Sequence, residues 1–227
     1  MTRRNCPTRD NPLLTRLARA DLSEITIRKA SSDSDFETVA RLREVGFSRV
    51  NRKLSVVGNP ALWLDGLDRE PGVLCLISYN SAGQPMATMR VQDGRVSVPE
   101  LAKFVPLDRL LLPQQMPAAQ FARLSVTKGP QSACAMLGLF KSAWKWCLKQ
   151  GIRSIVLGTP PWSRHIYDFL FFDDLGPAGH FSHAYVAGAL HVTMRLSVAQ
   201  AETIWRTRAS PLCEQFFDTF HPALELS

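Results

Sequence analysis

The sequence lacks a long uninterrupted run of apolar residues. Its most apolar stretch, residues 133–148, is broken by Lys141 and Lys145, whereas a membrane span needs about 18 or more consecutive apolar residues. The arginines near the start are scattered, and no apolar block of the kind found in a signal peptide follows them. We therefore expect no transmembrane segment and no secretion leader.

The sequence contains few cysteines, and their spacing forms no recognisable motif. The five cysteines are odd in number and contain no C-x-x-C pair, which is typical of buried thiols in a reducing compartment. This usage predicts a cytoplasmic location. His180 and His183 have an H-x-x-H spacing, but no cysteine or carboxylate set beside them completes a metal site, so we expect no bound metal.

Motifs for nucleotides and nucleic acids are missing as well. The sequence has no G-x-G-x-x-G, no P-loop GK[ST], and nothing like a zinc finger, a basic zipper or an RNA-recognition motif. We therefore expect no nucleic-acid partner. A hydrolase dyad of Ser125 with a histidine is also disfavoured, because no G-x-S-x-G elbow surrounds this serine.

The chain is basic. Lys and Arg number 27 against 20 Asp and Glu, which leaves a formal net charge of +7 and a pI near 9.5. A solvated basic surface that aids solubility is one explanation. The alternative is an acidic partner, such as an acidic protein, a phosphate-bearing co-substrate or an anionic membrane, so a peripheral membrane contact stays open.

Length and composition indicate a soluble globular chain. The 227 residues are 45% hydrophobic and 21% charged, which is ordinary for such domains, and the length is consistent with one or two domains. We predict a poorly packed basic arm over residues 1–22, an α/β domain over 23–200 and a helical tail over 201–227. A proline-containing insert over about 94–118 interrupts the domain.

Hydrophobic periodicity predicts the elements. Strands are predicted over residues 25–30, 73–79, 85–92, 120–128, 152–158 and 185–196. Helices are predicted over 13–20, 36–49, 133–150 and 162–172, and from about residue 197 onward. Residues 80–83 predict a hairpin turn. This order of strands and helices indicates one α/β domain with a mixed sheet.

The helix over 133–150 has two distinct faces. Apolar side chains recur with helical spacing from Ala133 to Leu148 and predict a stripe that faces the core. Lys141, Lys145 and Lys149 form the opposite ladder, which we interpret as a solvated face.

The turn before this helix is a candidate anion site. Residues 129–132 lead into the helix N-terminus, where free backbone N–H groups and the helix dipole attract phosphate, and Lys128 adds charge. An ordinary strand-to-helix turn is the alternative. The strands on either side of the helix are expected to be parallel. If they splay, a linear amide-bearing ligand such as phosphopantetheine could add to the exposed strand edge.

Four segments resemble the GNAT acyltransferase superfamily, most closely its N-acyl amino acid synthases, which are relatives of acyl-homoserine-lactone synthases. The segments are residues 86–91 (MATMRV), 99–104 (PELAKF), 122–126 (ARLSV) and 164–172 (RHIYDFLFF), and their order carries the likeness. The resemblance implies an α/β (α+β) fold with a mixed, mostly antiparallel sheet, a splayed parallel strand pair and helices on both faces. It also implies an N-acyltransferase that acylates the amine of an amino acid or similar small amine.

The resemblance further implies the co-substrates. The donor would be a phosphopantetheine thioester, long-chain acyl-acyl carrier protein in preference to acetyl-CoA. The co-substrate is thus acyl-acyl carrier protein or acyl-CoA, with no permanently bound cofactor. The basic balance suits an acidic acyl carrier protein, with contacts predicted from the arginines and lysines of the helix over 36–49, from Lys128 or from Arg164. The insert could wall an acyl pocket; the alternative is that it only caps the sheet.

The resemblance and side-chain chemistry together suggest residue roles. Candidate catalytic residues are Tyr167, Glu100, Arg123 and Gln120, with Tyr167 protonating the departing thiolate and Glu100 recognising or deprotonating the amine. Candidate donor-binding residues are Leu124, Ser125, Val126, Lys128, Gly129, Gln131, Ser132 and Ala133, including backbone N–H groups for an oxyanion. Candidate substrate-binding residues are Arg90, Phe104 and Phe171. The alternatives are a core tyrosine, a helix cap at Glu100 and structural ion pairs for the arginines.

Two positions depart from the pattern of the family. Gln120 stands where the family often has Glu, and an amide neither accepts a proton at neutral pH nor balances an ammonium ion. Phe171 stands where Gly is expected, and its ring is predicted to fill part of the slot. An acetyl-CoA-dependent N-acetyltransferase for small amines or protein N-termini, and a non-catalytic binding module, therefore stay open as alternatives.

Overall fold

The computed structural model describes residues 12–54, 63–183 and 188–226. Its helices are α1 (Pro12–Ala18), α2 (Asp33–Leu54), α3 (Leu107–Leu110), α4 (Ser132–Lys149), α5 (Arg164–Phe169) and α6 (Ala201–Thr207). Its strands are β1 (Thr26–Lys29), β2 (Val73–Tyr79), β3 (Pro85–Asp93), β4 (Ala118–Val126), β5 (Ser154–Thr159), β6 (Asp173–Asp174), β7 (His180–His183) and β8 (Ala189–Ser197). None of the described helices is long and apolar enough to cross a bilayer.

The strands form one mixed sheet. Their order is β1-β2-β3-β4-β5-β8-β6, with β7 also paired to β8, and β4–β5 is the parallel pair within the described residues. The β2–β3 hairpin closes through Gly83, whose N–H donates to the Asn80 carbonyl at 2.9 Å and whose φ is +72°. This left-handed conformation suits glycine. The predicted hairpin and the mostly antiparallel sheet are confirmed.

Helices α2 and α4 pack on opposite faces of the sheet. Successive strand residues point to opposite faces, so Cys75 and Ile77 of β2 pack with α2, whereas Leu76 between them lies in the cluster that contains α4. The apolar stripe of α4 is buried from Ala133 to Cys147 as predicted, whereas Leu148 at its end is exposed. The expected layering, with helices on both faces, is confirmed.

The parallel pair splits part-way along its length. Strands β4 and β5 pair over only three positions, the last of which joins Gln120 to Val156. Strand β4 continues to Val126 and β5 to Thr159, so their carboxyl-terminal halves separate. The predicted splay is confirmed, and it creates the gap in which the site lies.

The insert between β3 and β4 is built from short helical turns. It contains the 3₁₀ turns Glu100–Lys103 and Pro113–Gln115 on either side of α3. Its apolar side chains form a small buried cluster with β5 and β7, and this cluster includes Leu101, Val105, Leu107, Leu111, Val156 and Phe181. The insert is therefore ordered and lies next to the gap.

The lysine face of α4 differs from the prediction. Lys141 is fully buried, and its Nζ donates to the carbonyl oxygens of Gln215 at 2.6 Å and Thr219 at 2.7 Å. The next two lysines of the ladder both pair with Glu225. The prediction of a solvated face is wrong for Lys141, because the C-terminal tail supplies oxygen acceptors that replace water.

The segment preceding β1 also differs from the predicted poorly packed arm. Leu17 of α1, and Ala20 and Leu22 after it, are buried in the main core. Residues 1–11 of the predicted arm lie outside the described residues.

Two predicted elements have different bounds. Strand β8 begins at Ala189, and residues 184–187 of the predicted strand lie outside the described part of the chain. The helix predicted over 162–172 is a 3₁₀ turn, Pro161–Ser163, followed by the short α5. The segment between the predicted helix over 162–172 and β8, for which no strand was predicted, contains β6 and β7, which extend the sheet by pairing with β8.

Candidate active site

A cavity of about 520 Å³ occupies the gap between β4 and β5. Along β4 its lining runs from Gln120, beside the insert, to Val126, beside the N-terminus of α4. The facing wall comes from the end of β5 and from α5. The cavity exists because β4 and β5 do not pair beyond Gln120.

A β-bulge at Arg123 shapes the opening. Thr88 faces Ser125 across the β3–β4 pair, but Arg90 faces Ala122, so β4 carries one extra residue. Arg123 accommodates it with a left-handed φ of +55°, a conformation that is uncommon for residues other than glycine. Because a bulge bends its strand and increases its twist, it turns the rest of β4 away from β5.

Beyond the bulge, β4 presents backbone donors to the cavity. The N–H of Thr127 donates to the Met86 carbonyl, on the β3 side, at 2.8 Å. Because consecutive N–H groups of a strand point to opposite edges, the N–H groups of Val126 and Leu124 point to the gap. Both residues line the cavity, so they can bind an amide carbonyl or an oxyanion there.

Five of the eight predicted donor-binding residues line the cavity: Leu124, Val126, Lys128, Ser132 and Ala133. The other three have different contacts. The Ser125 hydroxyl donates to the Leu42 carbonyl on α2 at 2.5 Å, and the Gln131 amide donates to Glu24 at 2.6 Å. Gly129 shapes the turn, since its carbonyl accepts a hydrogen bond from the hydroxyl at the first position of α4.

Helix α4 begins at the cavity. Ser132 and Ala133 are its first residues, and Gln131 before them makes no side-chain cap. The first N–H groups of a helix lack intrahelical acceptors and carry the positive end of its dipole. Lys128 is exposed beside them. This end of the cavity is therefore suited to a phosphate group.

Tyr167 lies on the β5 side of the cavity. Its ring packs edge-to-face against Phe140 at 6.1 Å and Phe172 at 5.8 Å. Burial raises the pKa of Tyr167 to about 12, and a hydrogen bond with Thr159 opposes this rise only in part. The hydroxyl is therefore protonated at neutral pH and can act as a proton donor.

Three arginines and three carboxylates form a buried ion cluster behind the bulge. Its members are Arg43, Arg90, Arg123, Asp65, Asp68 and Glu100. Arg43 donates to both oxygens of Asp68, at 2.6 and 2.8 Å. Asp65 accepts from Arg90 at 2.9 Å and from Arg123 at 2.6 Å. The equal number of opposite charges compensates the cost of removing them from water.

The pKa shifts of residues in the ion cluster agree with these ion pairs. Burial alone would raise the pKa of Asp68, but the Arg43 guanidinium outweighs it and holds this pKa well below its usual value. Burial, with the neighbouring Arg90, lowers the pKa of Arg123. Arg90 is fully buried and does not line the cavity, so the structure places it as an ion-pair residue away from the predicted substrate contact.

Glu100 and Gln120 both line the cavity. One carboxylate oxygen of Glu100 accepts a hydrogen bond from Arg90, and the other lies 3.9 Å from a nitrogen of Arg123. The side-chain oxygen of Gln120 accepts the backbone N–H of Leu101 at 2.8 Å. The four predicted catalytic residues are therefore brought to one cavity.

Four rings gather at the insert end of the cavity. Phe104 stacks on Phe181 with centroids 5.2 Å apart and on His183 at 4.9 Å, and His191 lies 5.0 Å from His183. Burial, followed by the charges of His191 and Arg123, lowers the pKa of His183 to about 4. Burial lowers the pKa of His191 as well, so both rings are neutral at neutral pH.

The Phe171 ring lies outside the slot that it was expected to fill. Its ring packs against Trp205 at 5.9 Å and under the guanidinium of Arg208 at 5.2 Å, and it does not line the cavity. Its φ of +58° is the left-handed conformation that favours glycine, which explains why a glycine was expected there. The ring turns toward the C-terminal tail instead of the slot.

Several residues of the site are not predicted by the sequence. Asp65 and Asp68 lie at a single 3₁₀ turn, Gly66–Arg69, between α2 and β2, which is too short for a periodic pattern to mark them. In the sequence, His183 is marked only by its H-x-x-H spacing from His180. On a strand, residues three apart point to opposite faces, so His180 meets Asp174 at 3.3 Å on the exposed side while His183 lines the cavity.

Solved structures share this architecture. The structure of FeeM, an N-acyl amino acid synthase from uncultured soil microbes, matches with a TM-score of 0.63 at 11% identity, over 80% of this chain and 95% of that one. The AHL synthase LasI matches with a TM-score of 0.53 at 16% identity, over 78% and 91%. The CoA-dependent acyl-homoserine lactone synthase BjaI matches with a TM-score of 0.53 at 13% identity, over 82% and 90%.

The chain has the GNAT fold. The resemblance seen in four sequence segments is thus confirmed at the level of the fold. No protein-family model and no curated protein matches the sequence. The likeness to solved structures thus shows the fold.

Proposed function

We propose that this protein is an N-acyltransferase. It transfers an acyl group from a phosphopantetheine thioester, long-chain acyl-acyl carrier protein in particular, to the amine of an amino acid or similar small amine. The observation that carries the proposal is the cavity between β4 and β5, where the N–H groups of Leu124 and Val126 point into the gap.

The pantetheine arm of the donor fits the gap between β4 and β5 in one orientation. The amides of pantetheine extend the sheet along the open edge of β4, as an added strand would. The phosphate then meets Ser132, Ala133 and Lys128 at the start of α4. The thioester lies toward the insert, near Tyr167 and the bulge.

The reaction requires from the protein a hydrogen-bond donor for the oxyanion and a proton donor for the leaving sulfur. The bound ammonium releases one proton to solvent, and the resulting neutral amine attacks the thioester carbonyl. The carbon–sulfur bond breaks, the nitrogen releases a second proton to solvent, and the sulfur gains a proton from Tyr167, which solvent reprotonates. A backbone N–H of Leu124 or Val126 stabilises the oxyanion of the intermediate. Tyr167, protonated at neutral pH because burial raises its pKa to about 12, hydrogen-bonds to and protonates the departing sulfur.

A long acyl chain suits the lining. Leu101 and Phe104 of the insert, together with Met136 and Phe140 of α4, contribute apolar surface to the cavity. Burial of each methylene of a chain against such surface contributes about 0.8 kcal/mol. The insert therefore forms part of the acyl pocket and does more than cap the sheet.

The net charge of +7 suits an acidic carrier protein. Lys128 is exposed at the cavity and stays a candidate contact. Arg164 pairs with Asp168 at 3.3 Å and Asp174 at 2.7 Å, and Arg43 of α2 is fully buried. These two arginines are therefore poor candidates for docking, whereas Lys128 and the exposed Arg41 of α2 stay candidate contacts.

The test uses purified protein and three donors: long-chain acyl-acyl carrier protein, long-chain acyl-CoA and acetyl-CoA. Each is offered with the twenty amino acids and simple primary amines, and products are identified by mass spectrometry beside release of free thiol. We expect an N-acyl product with the long-chain carrier donor. Lipids from cells that express the protein should contain the same product, which cells with an empty vector lack.

Two outcomes would overturn the proposal in different ways. Preference for acetyl-CoA would replace it with an acetyltransferase for small amines. Donor binding without a product from any pair would indicate a binding module that has lost catalysis.

A further inference from the structure

Two glutamines from neighbouring strands hold the start of the insert. Gln92 of β3 and Gln120 of β4 are direct partners in the sheet register, and both are buried, with exposed fractions of 2% and 6%. The side-chain oxygen of Gln92 accepts the N–H of Glu100 at 2.9 Å, and that of Gln120 accepts the N–H of Leu101 at 2.8 Å. The pair thus fixes two consecutive peptide groups.

The other half of the Gln92 amide strengthens this arrangement. Its nitrogen donates to the Ser97 hydroxyl at 3.0 Å and to the Val98 carbonyl at 2.9 Å. Because its oxygen and nitrogen both have matched partners, the orientation of the Gln92 amide is determined by the contacts. The segment from Ser97 to Leu101 is therefore attached to the sheet at several points.

This attachment places one carboxylate at the cavity. Glu100 is the only acidic residue among the described residues that line it. Its side chain is 14% exposed; one oxygen is held by Arg90, while the other is 3.9 Å from Arg123. That distance is too long for a hydrogen bond, so this oxygen keeps lone pairs for a ligand.

A cationic amine is the ligand that such an oxygen binds best. Charge-assisted hydrogen bonds to a carboxylate are the stronger class. The neutral ring of His183, which stacks on Phe104 of the insert, also lines the cavity and can contact the carbon atoms next to the nitrogen. Gln120 itself cannot supply the charge, because it is an amide.

We propose that Glu100 binds the ammonium group of the acceptor, and that Gln92 and Gln120 are positioning residues that hold Glu100 at the cavity. The inference rests on the proposed acyltransferase function and names the acceptor site within it. It also explains how the site can lack a carboxylate at position 120: the insert supplies one from position 100.

The test compares charged and uncharged nucleophiles. The parent and the variants Glu100→Gln, Gln120→Leu and Gln120→Glu are assayed with the best donor, against the acceptor amine found in the panel and against hydroxylamine, which is uncharged at pH 8. Loss of a charge-assisted hydrogen bond should raise KM for the cationic amine about tenfold or more in Glu100→Gln. The loss with hydroxylamine, which carries no charge for the carboxylate to bind, should be several-fold smaller than the loss with the cationic amine, and KM for the donor should rise less than KM for that amine.

The glutamine variants separate positioning from folding. Gln120→Leu removes the acceptor for the Leu101 N–H and should raise KM for the amine as Glu100→Gln does. Gln120→Glu keeps an acceptor oxygen, so its KM should stay closer to that of the parent. The controls are Glu37→Gln and Gln114→Leu, which make the same changes at exposed positions.

The outcomes distinguish this inference from the proposed function. If the parent acylates amines and Glu100→Gln leaves KM for the cationic amine unchanged, the assignment of Glu100 is wrong while the acyltransferase stands. If KM rises equally for the amine, hydroxylamine and the donor, the residue is only structural and the assignment is again wrong. A parent that acylates no nucleophile at all would overturn both.

Discussion

Lys141 Nζ lies 2.8 Å from His221 Nδ1 in the interior between α4 and the C-terminal tail. The same ammonium group donates to the carbonyl oxygens of Gln215 and Thr219, so Nδ1 of the imidazole acts as the third acceptor. Burial, with the nearby Lys145, lowers the pKa of Lys141 to about 8. One buried lysine thus holds the tail against the helix that begins at the cavity.

Removing this ammonium group should destabilise the protein. Lys141→Met leaves two carbonyl oxygens and one imidazole nitrogen buried without their donor, and each such group costs about 1–3 kcal/mol. We expect the free energy of unfolding in urea to fall by at least about 2 kcal/mol. Lys149→Met, which alters a lysine whose side chain is 58% exposed, should change it by less than about 0.5 kcal/mol. Equal effects of the two variants would contradict the role of Lys141.

Tyr167→Phe should slow acyl transfer without weakening donor binding. The variant keeps the ring contacts with Phe140 and Phe172 but removes the proton donor, and general acid catalysis contributes about 100-fold or more. We expect kcat to fall by about that factor while KM for the donor stays within about twofold. Tyr79→Phe, on β2 away from the cavity lining, is the matched control. Unchanged turnover in Tyr167→Phe would remove this residue from the mechanism.

Gly46 of α2 should not tolerate a side chain. A Cβ atom there would lie 1.9 Å from the Ser125 hydroxyl oxygen on β4, and such overpacking costs about 1–3 kcal/mol. Gly46→Ala should therefore lower Tm and the free energy of unfolding. Gly66→Ala makes the same change where nothing lies within 4 Å and should be close to neutral. A neutral Gly46→Ala would show that α2 and β4 can move apart.

Acid should destabilise the fold through His183. Its pKa falls from 6.5 to about 4 in the folded chain, chiefly because of burial. Between these two values the unfolded chain binds more protons than the folded one, so the free energy of unfolding falls as the pH is lowered through this window. Urea titrations at pH 5 and pH 7 should show the difference, and His183→Asn should reduce it. His165→Asn, at a position that does not line the cavity, should leave it unchanged.

The local hydrophobic pattern was sufficient to predict the main helices and strands. The alternation in β2 and β3, the turn between them and the apolar stripe of α4 were all predicted, because each depends on neighbours a few residues apart. The strand–turn–helix from β4 into α4 was predicted for the same reason, and with it the end of the cavity where a phosphate is proposed to bind. Residues 173–174 and 180–183 were missed as strands, since such short strands depend on their pairing with β8.

Contacts between distant segments could not be predicted in this way. The lysine ladder of α4 has the spacing of a solvated face, yet Lys141 is buried because a tail some eighty residues later covers it. Phe171 was expected in the slot, but its left-handed backbone turns the ring toward Trp205. In each case the deciding partner lies far along the chain.

The sequence by itself determined the fold class and the split parallel pair. It also marked Glu100, Gln120, Arg123 and Tyr167 as candidates for the cavity. These features could be predicted because periodicity, turn chemistry and the resemblance all depend on residues that are close together in the sequence. Only the tertiary structure decided what those side chains contact. It joined Asp65 to Arg90 and Arg123, and it used Gln120 to hold the peptide next to Glu100. Burial makes unpaired charges and amides costly, so the partners available in the folded core, and not the spacing along the chain, determine what each of them does.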